Sequence, residues 1–168
     1  YFAAHESGPG AEVVILEIPS LAPVATINLP GSTAANGVDL EGNTLVVVRG
    51  YDNTEKEVVF YNVSDPASPV YFGGADTDYL LDDVAYNGTY AFVSAFDDTS
   101  ELTVIRESDF SVIDTLDLSG TANTDGIVWD GSFVYLGKSI NDAGGELYKV
   151  DVSNPSNVSL TSELEVGD

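Results

Sequence analysis

One motif recurs along the chain and limits what it can fold into. Glu-Val-Val-Ile-Leu-Glu-Ile begins at Glu12, Glu-Val-Val-Phe-Tyr-Asn-Val at Glu57, Glu-Leu-Thr-Val-Ile-Arg-Glu at Glu101 and Glu-Leu-Tyr-Lys-Val-Asp-Val at Glu146, at intervals of 45, 44 and 45 residues. A period of this length means that each repeat is one supersecondary unit, which buries its apolar surface only by stacking on its neighbours. Ahead of each motif lies a second apolar run: Tyr1-Phe2-Ala3-Ala4, Leu45-Val46-Val47-Val48, Tyr90-Ala91-Phe92-Val93 and Phe133-Val134-Tyr135-Leu136. Runs of four to five β-branched and aromatic residues read as strands. Three of them follow a hairpin signal, Gly42-Asn43, Asn87-Gly88 or Asp130-Gly131, where glycine or asparagine supplies the positive φ of a tight turn.

Each repeat closes with a turn and a fourth strand, as at Asp65-Pro66 before Val70 and Asn154-Pro155 before Val158. The second strand is apolar at successive positions, so both its faces are covered. The fourth alternates (Val24, Thr26, Asn28; Val112, Asp114, Leu116), so one of its faces meets solvent. A four-stranded meander buried on both sides by copies of itself is a propeller blade. The sequence therefore predicts an all-β, four-bladed β-propeller forming one domain over residues 1–168, with repeats at approximately 1–31, 32–76, 77–120 and 121–168. Val38, Leu40, Val47, Val84, Tyr86, Phe92, Ile127, Trp129 and Tyr135 are its expected core.

Two segments carry a resemblance to a known family. Tyr61-Asn62-Val63-Ser64-Asp65-Pro66-Ala67-Ser68-Pro69-Val70 and Val150-Asp151-Val152-Ser153-Asn154-Pro155-Ser156-Asn157-Val158 resemble the Asp-Val-Ser-Asp-Pro-x-x-Pro signature of LVIVP-type repeat propellers. These are mostly secreted or cell-surface proteins of bacteria and archaea. The similarity is partial in the first repeat and weak in the third, where Ser108-Asp109-Phe110 has no proline. It implies a propeller and an extracellular or cell-surface location, and it implies no reaction, because the family has no shared catalytic motif.

Four complete repeats would need about 179 residues, and the chain has 168. The shortfall falls in the first repeat, where Tyr1 opens at the second strand and stands in place of an initiator methionine. The first blade is thus expected to lack its innermost strand, the one beside the axis. Its place is expected to be filled by further residues of a longer chain or by a strand donated from a neighbouring copy, which would link copies into a filament. A runner-up arrangement makes the chain half of an eight-bladed ring.

Charge narrows the function classes. Against 28 Asp and Glu stand 5 Lys and Arg, a formal charge of -23, which repels nucleic acid and anionic membrane surfaces. The chain has no Cys and one His, so thiolate chemistry and multi-histidine metal sites within one chain are excluded, while hard cations such as calcium remain compatible. No apolar run reaches the roughly 18 to 20 residues of a membrane span. The loops that share one face of the propeller are acidic and include Asp52, Glu55, Asp76, Asp78, Asp97, Asp98 and Asp142.

Asn36, Asp82, Asp125 and Asp168 each stand just before the position of an innermost strand, and are expected to ring the mouth of the central channel as calcium ligands. Turn formation by their own side chains is the competing role. Glu12, Glu57, Glu101 and Glu146 are expected to be structural, for instance accepting hydrogen bonds from a neighbouring blade. His5, aligned with Arg49, Ser94 and Gly137, has no Ser or Cys partner and is expected at the surface. Asn62, Asn87 and Asn157 stand in Asn-x-Ser/Thr sequons, a weak signal for glycan attachment. The leading expectation is a non-enzymatic structural or adhesive unit. The alternatives are a carboxylate-dependent hydrolase, which needs paired carboxyls around a cleft, and a carbohydrate- or protein-binding module.

Overall fold

The β-branched and aromatic runs form fifteen strands and no helix among the residues that the computed structural model describes, 2–5 (backbone only), 11–118, 124–138 and 145–166. Blade one comprises β1 (Phe2–His5), β2 (Val13–Leu16) and β3 (Pro23–Ile27), and blade two β4 (Ala35–Glu41), β5 (Thr44–Arg49), β6 (Val58–Asn62) and β7 (Val70–Ala75). Blade three comprises β8 (Leu81–Tyr86), β9 (Tyr90–Ala95), β10 (Leu102–Arg106) and β11 (Ser111–Leu116). Blade four comprises β12 (Thr124–Trp129), β13 (Phe133–Lys138), β14 (Leu147–Asp151) and β15 (Ser159–Leu164). Every sheet is an antiparallel meander; blade one has three strands with β1 at its edge, and the others have four. Gly42, Gly88 and Gly131 turn the three inner hairpins with φ of 60°, 86° and 112°, as the Gly-Asn, Asn-Gly and Asp-Gly signals require.

The four glutamates fix the common register. Val13, Val58, Leu102 and Leu147, each following one of them, pair with His5, Val48, Ser94 and Gly137. Arg49 thus lies one residue beyond the position that the sequence alignment assigned it, level with Ala95 and Lys138. Each blade then has a forward face that packs on the rear face of the next. Val13 and Ile15 pack on Leu45, Val47, Val59 and Tyr61. Val46, Val48, Val58 and Phe60 pack on Ala91, Val93 and Ile105. Phe92, Leu102 and Val104 pack on Val134, Leu136, Tyr148 and Val150. Full burial of a side chain such as Phe60 or Phe92 contributes about 2 to 3 kcal/mol, and sealing both faces of blades two and three explains their unbroken apolar strands.

Polar ties reinforce these interfaces along the inner strands. Asp39 Oδ2 accepts the Tyr86 amide at 2.6 Å and Asp83 Oδ2 the Ile127 amide at 3.3 Å. On the outside, Asp114 Oδ2 accepts the Val158 amide at 2.7 Å.

Two expectations need correction. Leu40 is exposed, because it lies at the end of β4 next to the Gly42 turn, whereas Val38, Ile127, Trp129 and Tyr135 are half-buried. The outer strands also do not alternate simply. A bulge at one common register, after Ile15, Phe60, Val104 and Lys149, inserts one residue into β3, β7, β11 and β15. Val24 and Ile113 therefore turn toward the core and Val112 turns out.

The repeated glutamates are structural, but each serves its own blade rather than a neighbour. Glu12 accepts the Leu29 amide at 2.7 Å, Glu57 the Thr77 amide at 2.9 Å and Glu101 the Leu118 amide at 2.8 Å, and Glu146 accepts the Val166 amide. Each carboxylate ties the start of the third strand to the exit of the fourth. Glu57 is fully buried and also accepts the Asp52 amide at 3.2 Å. Its replacement by Ala leaves both amides unpaired, with an expected cost of about 2 to 3 kcal/mol, against less than about 0.5 kcal/mol for exposed Glu17→Ala. Urea unfolding checks this: the midpoint falls for Glu57→Ala at constant slope.

Candidate axial metal centre

The inner strands share a second irregularity. β4 shifts register between Ala35 and Gly37, β8 between Leu81 and Asp83, and β12 between Thr124 and Gly126. The extra residues are Asn36, Asp82 and Asp125. All three stand inside the strands rather than ahead of them, and a bulge re-aims the side chain that it leaves unpaired. The three carry the same offset in three successive blades, so the sequence constellation is a repeated backbone device. Asp168, its fourth member, lies outside the described residues, as does Asp142.

The electrostatics of the device centre on Asp82. Burial, then Asp125, then Asp83 raise its carboxyl from the usual 3.8 to about 6, so the Asp82 and Asp125 carboxyls lie close enough to repel. Asp82 Oδ2 is buried and accepts no hydrogen bond. Burial also raises Asp83, opposed by the amides of Val84 and Ile127. Asn36 Nδ2 donates to the Leu81 carbonyl at 2.6 Å, which bridges blades two and three and leaves its side-chain oxygen available. This set has two carboxylates and an amide, and among the described residues no three His, Cys, Asp or Glu side chains gather as a metal cage.

The other singled-out residues lie elsewhere. Arg49 is fully buried; its guanidinium donates to the Pro30 carbonyl and lies 3.3 Å from Asp52. The Thr54 side chain and amide chiefly hold the Asp52 carboxyl below its ordinary range. Thr99 caps the next blade's loop through Asp97 at 2.6 Å, so part of the acidic face serves turn geometry. His5 pairs with Val13 in β1. Asn62 and Asn157 are exposed and Asn87 is half-buried in its hairpin. A groove of about 280 Å³ between Pro30, Glu55, Lys56, Val59, Tyr61 and Tyr71 shares no residue with the axial set.

Residues 122–165, the whole of blade four, match the LVIVD repeat. The match is confined to the fourth blade. No curated protein sequence matches the chain. Among solved structures it is similar to the computationally designed Ika8 protein, with a TM-score of 0.61 and 14% identity over 90% of this chain and 42% of that one. It is also similar to the computationally designed Ika4 protein, with a TM-score of 0.58 and 12% identity over 83% and 78% of the two chains. A chain of the Mitotic Checkpoint Complex matches with a TM-score of 0.52 and 14% identity, over 77% of this chain and 38% of that one. The chain thus spans less than half of the first and third of these. At such identities the likeness establishes the propeller fold alone, and the chemistry of this propeller is read from its own residues.

Proposed function

We propose that this LVIVD-repeat propeller is a non-enzymatic structural or adhesive module of the cell surface or extracellular space, held by calcium on its axis and joined to neighbouring copies through a strand donated beside β1. Asp82 carries the cation reading: a bulge presents its carboxylate, one of whose oxygens is buried without a partner, beside a second carboxylate. Calcium suits carboxylate, amide and carbonyl oxygens, and fits this set better than magnesium, which demands near-ideal octahedral geometry. Among the described residues blade one has three strands with β1 at its edge, which supports strand donation, since that edge offers the backbone groups that another strand would pair. A charge of -23 suits an exposed setting in which cations and salt screen self-repulsion.

Thermal unfolding in low salt tests the cation. Calcium at a hundredfold excess over its dissociation constant raises stability by about 2.7 kcal/mol, a rise of roughly 5 to 10 °C for a chain of this size, and magnesium raises it less. If neither calcium nor chelator shifts the transition, the axial reading falls.

A further inference from the structure

Three blade–blade interfaces are sealed, and the two faces that would form a fourth are open. On the forward faces of blades two and three, Val46, Val48, Val58, Phe60, Phe92, Ser94, Leu102 and Val104 are fully buried. At the same register in blade four, Tyr135, Gly137 and Lys149 are only half-buried and Leu147 is 39% exposed. Val128 on β12 is 58% exposed. Glycine gives an independent measure. A Cβ on Gly37 of blade two would fall 2.8 Å from Asp83 of the next blade, whereas one on its counterpart Gly126, or on Gly137, would meet no atom within 4 Å. The rear face of blade one is likewise incomplete: Val14 and Leu16 are half-buried, while their counterparts Val59, Tyr61, Thr103, Ile105, Tyr148 and Val150 are buried.

We infer that the forward face of blade four is a docking surface for the rear face of blade one of a second copy. The inference rests on the modular reading above and adds to the β1 edge a second surface through which copies meet. What selects this occupant is continuity: every other forward face in the molecule is covered by a rear face at one register, and blade one supplies the uncovered one. Lys149 sits on the open face with its ammonium 3.7 Å from the centre of the Phe133 ring. A forward-to-rear contact is heterologous, so it builds a larger ring if its rotation closes and a filament if it does not.

Sedimentation of the 168-residue chain across a wide concentration range, in about 1 M salt to screen the like net charges, tests the surface. The wild type is expected to rise from 17.7 kDa to at least twice that mass. Gly137→Arg, placed where a side chain meets open space, is expected to weaken association at least about tenfold while keeping the dilute-state melting temperature. Ser68→Arg, on an exposed turn of blade two, is expected to associate like the wild type. A wild type that stays monomeric throughout overturns the inference. So does undiminished association of Gly137→Arg, which would assign assembly to a donated strand or another face. Repeating the series with calcium and with chelator separates the two readings, since the docking face is read from mass and the axial cation from the thermal shift.

Discussion

In chelator at pH 7.5, Asp82→Asn is expected to melt above the wild type. The carboxyl sits at about 6 in the folded chain against 3.8 ordinarily, because burial and then Asp125 oppose its ionised form. The sign follows from linkage: the folded state binds the proton more tightly than the unfolded state. The destabilisation is therefore absent below about pH 3.8, grows between 3.8 and 6, and is complete above 6. The full shift corresponds to about 3 kcal/mol, and because Asp82 is only partly withdrawn from water the expected gain for the amide is about 1 to 2 kcal/mol, or roughly 2 to 8 °C. Calorimetry across pH 4 to 8 measures it: the two curves converge toward acid, separate between about pH 4 and 6, and keep a constant gap above 6. Saturating calcium reverses the order if the axis binds the ion, since it adds stability to the carboxylate form and little to Asp82→Asn. An amide variant that is less stable than the wild type in chelator would show that the carboxylate already has a stabilising partner.

The largest stability loss is expected at Gly73. This residue is on β7 of blade two, and Phe110 reaches over it from the β10–β11 turn of blade three, with φ at 57° in the left-handed region. Its ring lies 5.4 Å from that of Phe60 and 6.0 Å from that of Phe72, so three aromatics join two blades at their outer rim. A Cβ on Gly73 would fall 1.9 Å from the Phe110 ring, so even alanine requires the wedge to withdraw. Gly73→Ala is expected to cost about 3 kcal/mol and Gly73→Val more. In chains that already carry Phe110→Ala, the same substitutions are expected to cost under about 1 kcal/mol, because the obstructing ring is gone. A double-mutant cycle by urea unfolding reads this coupling directly, and additive effects would show that the ring and the glycine do not share the site.

How much of this was legible beforehand depends on the range over which each feature is encoded. Strand identity, meander order and hairpin positions are local properties. The β-branched runs, the Asn-Gly and Asp-Gly turns and the 45-residue period carry them within each repeat, so the blades follow from the chain read by itself. The Asn36, Asp82 and Asp125 alignment was visible as a spacing for the same reason. Its physical basis was not, because a bulge is defined by the pairing of two strands and not by one strand's composition. The same limit misplaced Arg49 by one residue and hid the break in alternation that turns Ile113 toward the core and Val112 out.

Other features depend on neighbours distant in sequence. Glu57 reads as a repeated carboxylate, but only the folded blade brings it to the Thr77 amide. Gly73 carries no local signal for the Phe110 ring that occupies its missing side chain. Tyr135 has the composition of a core strand and is half-buried because no further blade covers it. Local propensity and periodicity thus set which segments are strands and how they form blades. The contacts between blades, where charge is desolvated and apolar faces are sealed or left open, were decided by the tertiary structure, because burial belongs to pairs of surfaces and not to either one alone.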